Sequence, residues 1–188
     1  MGVERNERLT AVTGAVLIVL LAALGVTILS IGPLIWWHVL IGMFLIPPVL
    51  LKLGSTGWRF VRYYRGTPEY VRRGPPVMAL RLLAPLVVLS TLVVFGTGVA
   101  LIVVGPAGGI LVGLHKASFI VWFFATAVHV LAHLRRLLPP ARPVPGAVTR
   151  GAFVVASIVA GAVLAAATVR YGDSWVHWFA HRHFGGDG

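Results

Sequence analysis

The chain has 188 residues, of which 58% are apolar and only 11% charged, with a mean hydropathy of +0.91 and a net charge of +11. Soluble domains carry about a quarter charged residues, so this composition counts against a cytosolic enzyme, a nucleic-acid-binding module or a disordered tail and describes a membrane protein. With no cysteine present, disulfides, iron–sulfur clusters, covalently attached haem and thiolate metal sites are excluded, and any metal falls to His, Lys, Met or carboxylate donors.

A transmembrane helix needs about 20 mostly apolar residues, and five stretches qualify, at about 9–30, 34–54, 78–104, 115–134 and 150–170. The first follows a short charged leader, but its apolar run is too long for a signal segment and shows no clear cleavage site, so it is expected to be retained. Gly32-Pro33 then turns the chain into the second span, which carries His38 near one end, Pro47-Pro48 in the middle and Lys52 near the other end. The prolines remove backbone donors and are expected to kink this helix. Residues 55–77 mix arginines with Trp58, Phe60, Tyr63, Tyr64 and Tyr70, a composition suited to a segment along the membrane surface.

The third span contains Gly96 and Gly98, and a Gly-rich turn at 105–113 leads into the fourth, which holds His115, His129 and His133. A link with Pro139, Pro140, Pro143 and Pro145 precedes the fifth span, whose Ala160, Gly161, Ala165 and Ala166 suit helix packing. The tail at 173–184 interleaves His177, His181 and His183 with Trp175, Trp178 and Phe179. It reads as an interfacial helix; His177 and His181, one turn apart, could also seat a metal. No connection has room for a catalytic domain, so the expected architecture is an all-α integral membrane protein, one domain over residues 1–188, built as a five-helix bundle.

Lys and Arg accumulate in short cytoplasmic loops. Arg5, Arg8, Lys52, Arg59, Arg62, Arg65, Arg72, Arg73, Arg81, Arg135, Arg136, Arg142 and Arg150, thirteen of sixteen basic residues, fall on one side, leaving Lys116, Arg170 and Arg182 on the other. The expectation is a multi-pass cell-membrane protein with a cytoplasmic amino terminus and an extracytoplasmic carboxyl terminus. Its high charge then reflects topology and lipid headgroups, not nucleic acid.

Ionisable groups inside a bilayer are costly and mark function. No Asp or Glu lies in any span, which counts against pumps and proton-coupled carriers, and the remaining groups are His38, Lys52, His115, His129 and His133, all on two helices. His38 to Lys52 and His115 to His129 are both fourteen steps, which leaves each pair about 40° apart in azimuth and about 21 Å apart along its helix. Both helices run in the same sense, so His38 is expected level with His115, and Lys52 level with His129. Facing histidines in a bundle are what a haem iron needs for axial ligation.

This pattern resembles bacterial dihaem b-type cytochrome subunits, over roughly residues 30–135. The runs HVLIGMFLIPPVLLKLGSTGWRFVRYYRG, LRLLAPLVVLSTLVVFGTGVALIVVG and LHKASFIVWFFATAVHVLAHL are similar to a group of small actinobacterial cytochrome-b-like proteins. The resemblance implies a four-helix core holding haem b, with two haems expected in preference to one, ligated by His38, His115 and His129. It further implies electron exchange between the quinone pool and an extracytoplasmic partner such as a molybdenum-cofactor oxidoreductase. Lys52 departs from the pattern, standing where a fourth histidine is expected. Three arrangements fit: neutral Lys52 ligates iron opposite His129; an inner haem is five-coordinate on His129 or uses His133; or only the outer haem exists and Lys52 snorkels to headgroups.

Small residues would let a macrocycle approach the helices, with Gly14, Gly25, Gly42, Gly96 and Gly98 available. Lys116 outside and Arg59, Arg62 or Arg81 inside stand near propionate depth. The chain is expected to be an electron-transfer subunit, not an independent catalyst, and a homo-oligomer is compatible with it. Its rivals are a haem-free structural or assembly subunit and, less favoured, a small transporter.

Overall fold

The computed structural model describes residues 2–74, 78–134 and 145–184, and the described residues are helical apart from short turns. The helices are α1 (Val3–Leu29), α2 (Ile31–Tyr64), α3 (Pro68–Arg73), α4 (Met78–Val104), α5 (Gly109–His133), α6 (Ala147–Thr168) and α7 (Asp173–Phe184), with 3₁₀ turns at Gly105–Ala107 and Val169–Gly172. Five helical stretches, α1, α2, α4, α5 and α6, are long and apolar enough to cross a membrane. The protein is therefore an all-α, multi-pass membrane bundle whose apolar outer surface meets lipid. Arg135, Arg136, Arg142 and the prolines at 139, 140 and 143 lie outside the described residues.

The chain is organised as two antiparallel hairpins. In the first, α1 and α2 pack along their lengths after a one-residue turn at Ser30. Pro33 stands in the first turn of α2, where its missing N–H has no helical partner to lose. In the second, α4 and α5 pack along their lengths through the Gly105–Ala107 turn. Gly105 takes a φ of 73°, which a side chain would oppose. The helix α6 lies along α2, so α2 is the element that the remainder of the bundle is assembled around, while α4 touches it more sparsely.

Several boundaries differ from the sequence expectation, with α1 beginning at Val3 and α6 at Ala147. Residues 55–64 continue α2 as helix instead of forming a separate surface segment. No proline interrupts them and Ser55 is fastened to α1: Asn6 Nδ2 donates to its carbonyl at 3.0 Å, and Thr10 Oγ1 to its hydroxyl at 2.9 Å. The 34 residues of α2 span about 50 Å, beyond the hydrocarbon layer of about 30 Å. Gly66 and Gly74, both at positive φ, end α2 and α3. Glu7 then ties the three helices at this Arg-rich end, meeting Arg59 at 3.3 Å and accepting from both Arg73 Nε and Nη2, the latter at 2.8 Å. The fourth span also starts earlier than expected, at Gly109, because Gly113 is accommodated inside the helix.

Pro47 and Pro48 sit inside α2 without ending it. Lacking N–H groups, they leave the carbonyls of Met43 and Phe44 without their helical donors. Gly161 of α6 sits against that Phe44 carbonyl so closely that a Cβ would collide with the backbone. Val154, Ser157, Gly161 and Ala165 form the buried stripe of α6, a small-residue contact that brings two helices within backbone reach.

At the end opposite the arginines, α7 folds back onto the bundle. Ile35, Val39, Leu101 and Trp175 form a buried cluster, with Leu111, Val112, Trp178 and Phe179 packed around it. Trp175 Nε1 donates to the Leu101 carbonyl at 3.0 Å. The aromatic side of the tail thus docks on protein, while His177 and His181 remain exposed; the His183 side chain lies outside those described.

The α2–α6 contact generates a direct test. Gly161→Ala is expected to lower the unfolding midpoint in detergent, by about 1–3 kcal/mol of overpacking. Gly151→Ala, where a Cβ meets nothing within 4 Å, leaves the midpoint unchanged or slightly raised.

Candidate functional site

His38 on α2 and His115 on α5 face one another across the two hairpins. Their ring centroids are 6.4 Å apart and their planes are 87° from parallel. The expectation that these two histidines share a level in the bundle is thereby met. Each ring is oriented from behind by a threonine of the preceding helix in its own hairpin. His38 Nδ1 lies 2.8 Å from Thr27 Oγ1, and His115 Nδ1 lies 3.1 Å from Thr97 Oγ1.

The direction of these hydrogen bonds follows from proton bookkeeping. Thr27 Oγ1 is 2.5 Å from the Leu24 carbonyl, and Thr97 Oγ1 is 2.7 Å from the Val93 carbonyl. Two oxygens so close need the hydroxyl proton between them, and a hydroxyl has only one proton to give. Each threonine oxygen therefore accepts from the imidazole, Nδ1 carries the proton, and Nε2 of the neutral ring keeps its lone pair. Thr27 and Thr97 were not among the residues singled out in the sequence. The signal was present: each lies in a span preceding a histidine-bearing one, and Thr97 stands between Gly96 and Gly98.

The separation suits a metal between the rings. Two metal–nitrogen bonds of about 2.0–2.1 Å, plus about 1.1 Å from each nitrogen to its ring centre, give about 6.3 Å. Gly98 lies directly behind His115, where a Cβ would come within 3.2 Å of Cε1. Gly42, one turn after His38, and Gly25 on α1 have no atom within 4 Å of a Cβ built on them. An imidazole pair facing across two hairpins matches the donor set of a bis-histidine haem. Among the described residues no three of His, Asp or Glu converge on one point, so the donors of this residue set here are the two imidazoles.

The level nearer the Arg-rich end is arranged differently. Lys52 turns toward α1, where its Nζ donates to the Thr10 carbonyl at 2.6 Å and lies against Gly14. His129 stacks on His133, with centroids 4.5 Å apart and planes at 27°, and His133 Nδ1 donates to the His129 carbonyl at 2.9 Å. Lys116 is exposed near His115, while Arg59, Arg62 and Arg81 are partly buried at the opposite end. Arg62 lies over the Trp58 ring and Arg81 donates to Tyr64 at 3.1 Å.

Comparison of the chain with protein-family models, with curated proteins and with solved structures returns no match.

Proposed function

We propose that this membrane protein is a b-type cytochrome, holding non-covalent haem b between His38 and His115 and passing electrons between quinone and a redox protein on the extracytoplasmic side. The observation that carries the reading is the orthogonal imidazole pair at 6.4 Å, with each Nδ1 within hydrogen-bond distance of a threonine hydroxyl. The resemblance of residues 30–135 to bacterial cytochrome b subunits supports it.

Haem bound there would supply a one-electron centre inside the low-dielectric interior. His38 and His115 would hold it through their Nε2 atoms, with Thr27 and Thr97 keeping the rings in position. The Ile35–Val39–Leu101–Trp175 cluster excludes water on the side capped by α7. Lys116, exposed near the His115 level, is a cationic partner for a propionate or for an acidic redox protein. A partner such as a molybdenum-cofactor enzyme would dock on this Arg-poor end, and the Arg-rich end would face the cytoplasm.

Of the three arrangements for the second level, the bond from Lys52 to Thr10 favours the one in which Lys52 does not ligate. The stacked His129 and His133 then remain as donors for an inner haem. One haem at the His38–His115 level is the better supported stoichiometry.

A reduced-minus-oxidised absorption spectrum of the purified chain, with haem quantified per polypeptide, is expected to show low-spin haem b at a ratio near one. His38→Ala and His115→Ala are each expected to abolish it, whereas Lys52→Ala retains it. A ratio near two that falls to one in His129→Ala would restore the inner haem. No haem after expression with ample haem supply would overturn the reading and leave a structural subunit. Orientation is read separately in this cysteine-free chain: a cysteine at Thr149 should be shielded from an impermeant thiol reagent in intact cells, and one at Ser174 should react.

A further inference from the structure

The two histidines are supported by one device used twice. In each hairpin the first helix supplies a threonine and the second a histidine, Thr27 with His38 and Thr97 with His115. In each, the threonine hydroxyl is spent on a carbonyl of its own helix, three residues back for Thr27 and four for Thr97. Thr27 is 4% exposed, so no water competes for its oxygen. Neither ring has a carboxylate to lean on, because no Asp or Glu lies between Glu7 and Glu69 or between Glu69 and Asp173; His115 has the Val94 carbonyl as a second acceptor.

We propose that Thr27 and Thr97 are matched positioning residues that lock both imidazoles in the Nδ1–H tautomer, so that two Nε2 lone pairs are aimed into the interior and held in orthogonal planes. The inference rests on the cytochrome reading for its purpose, although the lock itself belongs to the chain alone. A backbone-anchored hydroxyl can only accept from Nδ1, and this bond fixes ring orientation and raises the basicity of the opposite nitrogen. A more basic ligand favours ferric over ferrous iron, so the threonines are expected to hold the reduction potential down. Because the two supports lie on different hairpins, removing either should act on one ring only.

The test uses the full chain with ¹⁵N-labelled histidine, prepared both without haem and with haem supplied, and compares Thr27→Val and Thr97→Val with Thr27→Ser and Thr97→Ser. Valine matches threonine in shape and removes the acceptor; serine keeps it. In haem-free wild-type protein both imidazoles are expected to be protonated at Nδ1. Thr27→Val should lose that signature at His38 and retain it at His115; Thr97→Val should weaken it at His115, where the Val94 carbonyl remains as an acceptor, and retain it at His38. With haem, each valine change should weaken haem binding about 10–100-fold and raise the midpoint potential, and each serine change should restore both. Valine variants that fold with helix content intact yet keep both tautomers and the wild-type potential would overturn the lock. Failure of the cytochrome reading looks different: the tautomers follow the threonines as expected, but wild-type protein takes up no haem.

Discussion

A hydroxyl or imidazole in the hydrocarbon layer has no water to bond with, so its hydrogen bonds must be found within the protein. That constraint runs through the bundle. Thr13, Ser90, Thr91, Ser157 and Thr168 each return their proton to a carbonyl one turn back on their own helix. Once the proton is spent in this way, only the oxygen lone pairs remain for a neighbouring helix. Thr91 uses its lone pair to accept from Trp122 Nε1 at 3.0 Å, joining α4 to α5. Thr27 and Thr97 use theirs on the two histidines, so the orientation of the site is a by-product of how the spans satisfy themselves.

The same accounting explains where the hairpins differ. At its Arg-rich end, the α1–α2 hairpin is sewn by Asn6, Thr10, Lys52 and Ser55, donors and acceptors that all face across one seam. This seam draws Lys52 to α1. The α4–α5 hairpin has no counterpart to it among the described residues, and its histidines at that level stack on each other. The fourteen-residue interval is therefore repeated in sequence but used in two ways: as a cross-hairpin pair at one level, and at the other with Lys52 drawn to α1 and His129 stacked on His133.

Much of this was legible in the sequence. The spans follow from apolar run length, and the third, expected at about 78–104, closes at Val104 where Gly105 takes a positive φ. The level pairing of His38 and His115 follows from the interval and the common direction of two helices. The destination of Lys52 was not legible, because azimuth along one helix does not say which neighbour lies there; that depends on the Asn6–Thr10 seam. The extension of α2 to Tyr64 was obscured by Gly54, Gly57 and the arginines, which look like loop until Glu7 is seen binding Arg59 from α1. Thr27 and Thr97 were hidden for a simpler reason: threonine is common in membrane helices, and only three-dimensional placement separates a ring's support from an ordinary self-satisfied hydroxyl.

The one-residue turn at Ser30 bears on the order in which the molecule is made. Helical hairpins with so short a connection can enter the bilayer as a unit, which would put α1 and α2 in place before α4 and α5 are complete. Within that first unit Thr27 already holds His38, and only the arrival of the second hairpin brings His115 opposite. The site is then a record of completed assembly: neither half presents both His38 and His115, and anything bound between them would act as a clasp that rewards only a chain whose hairpins have met in register.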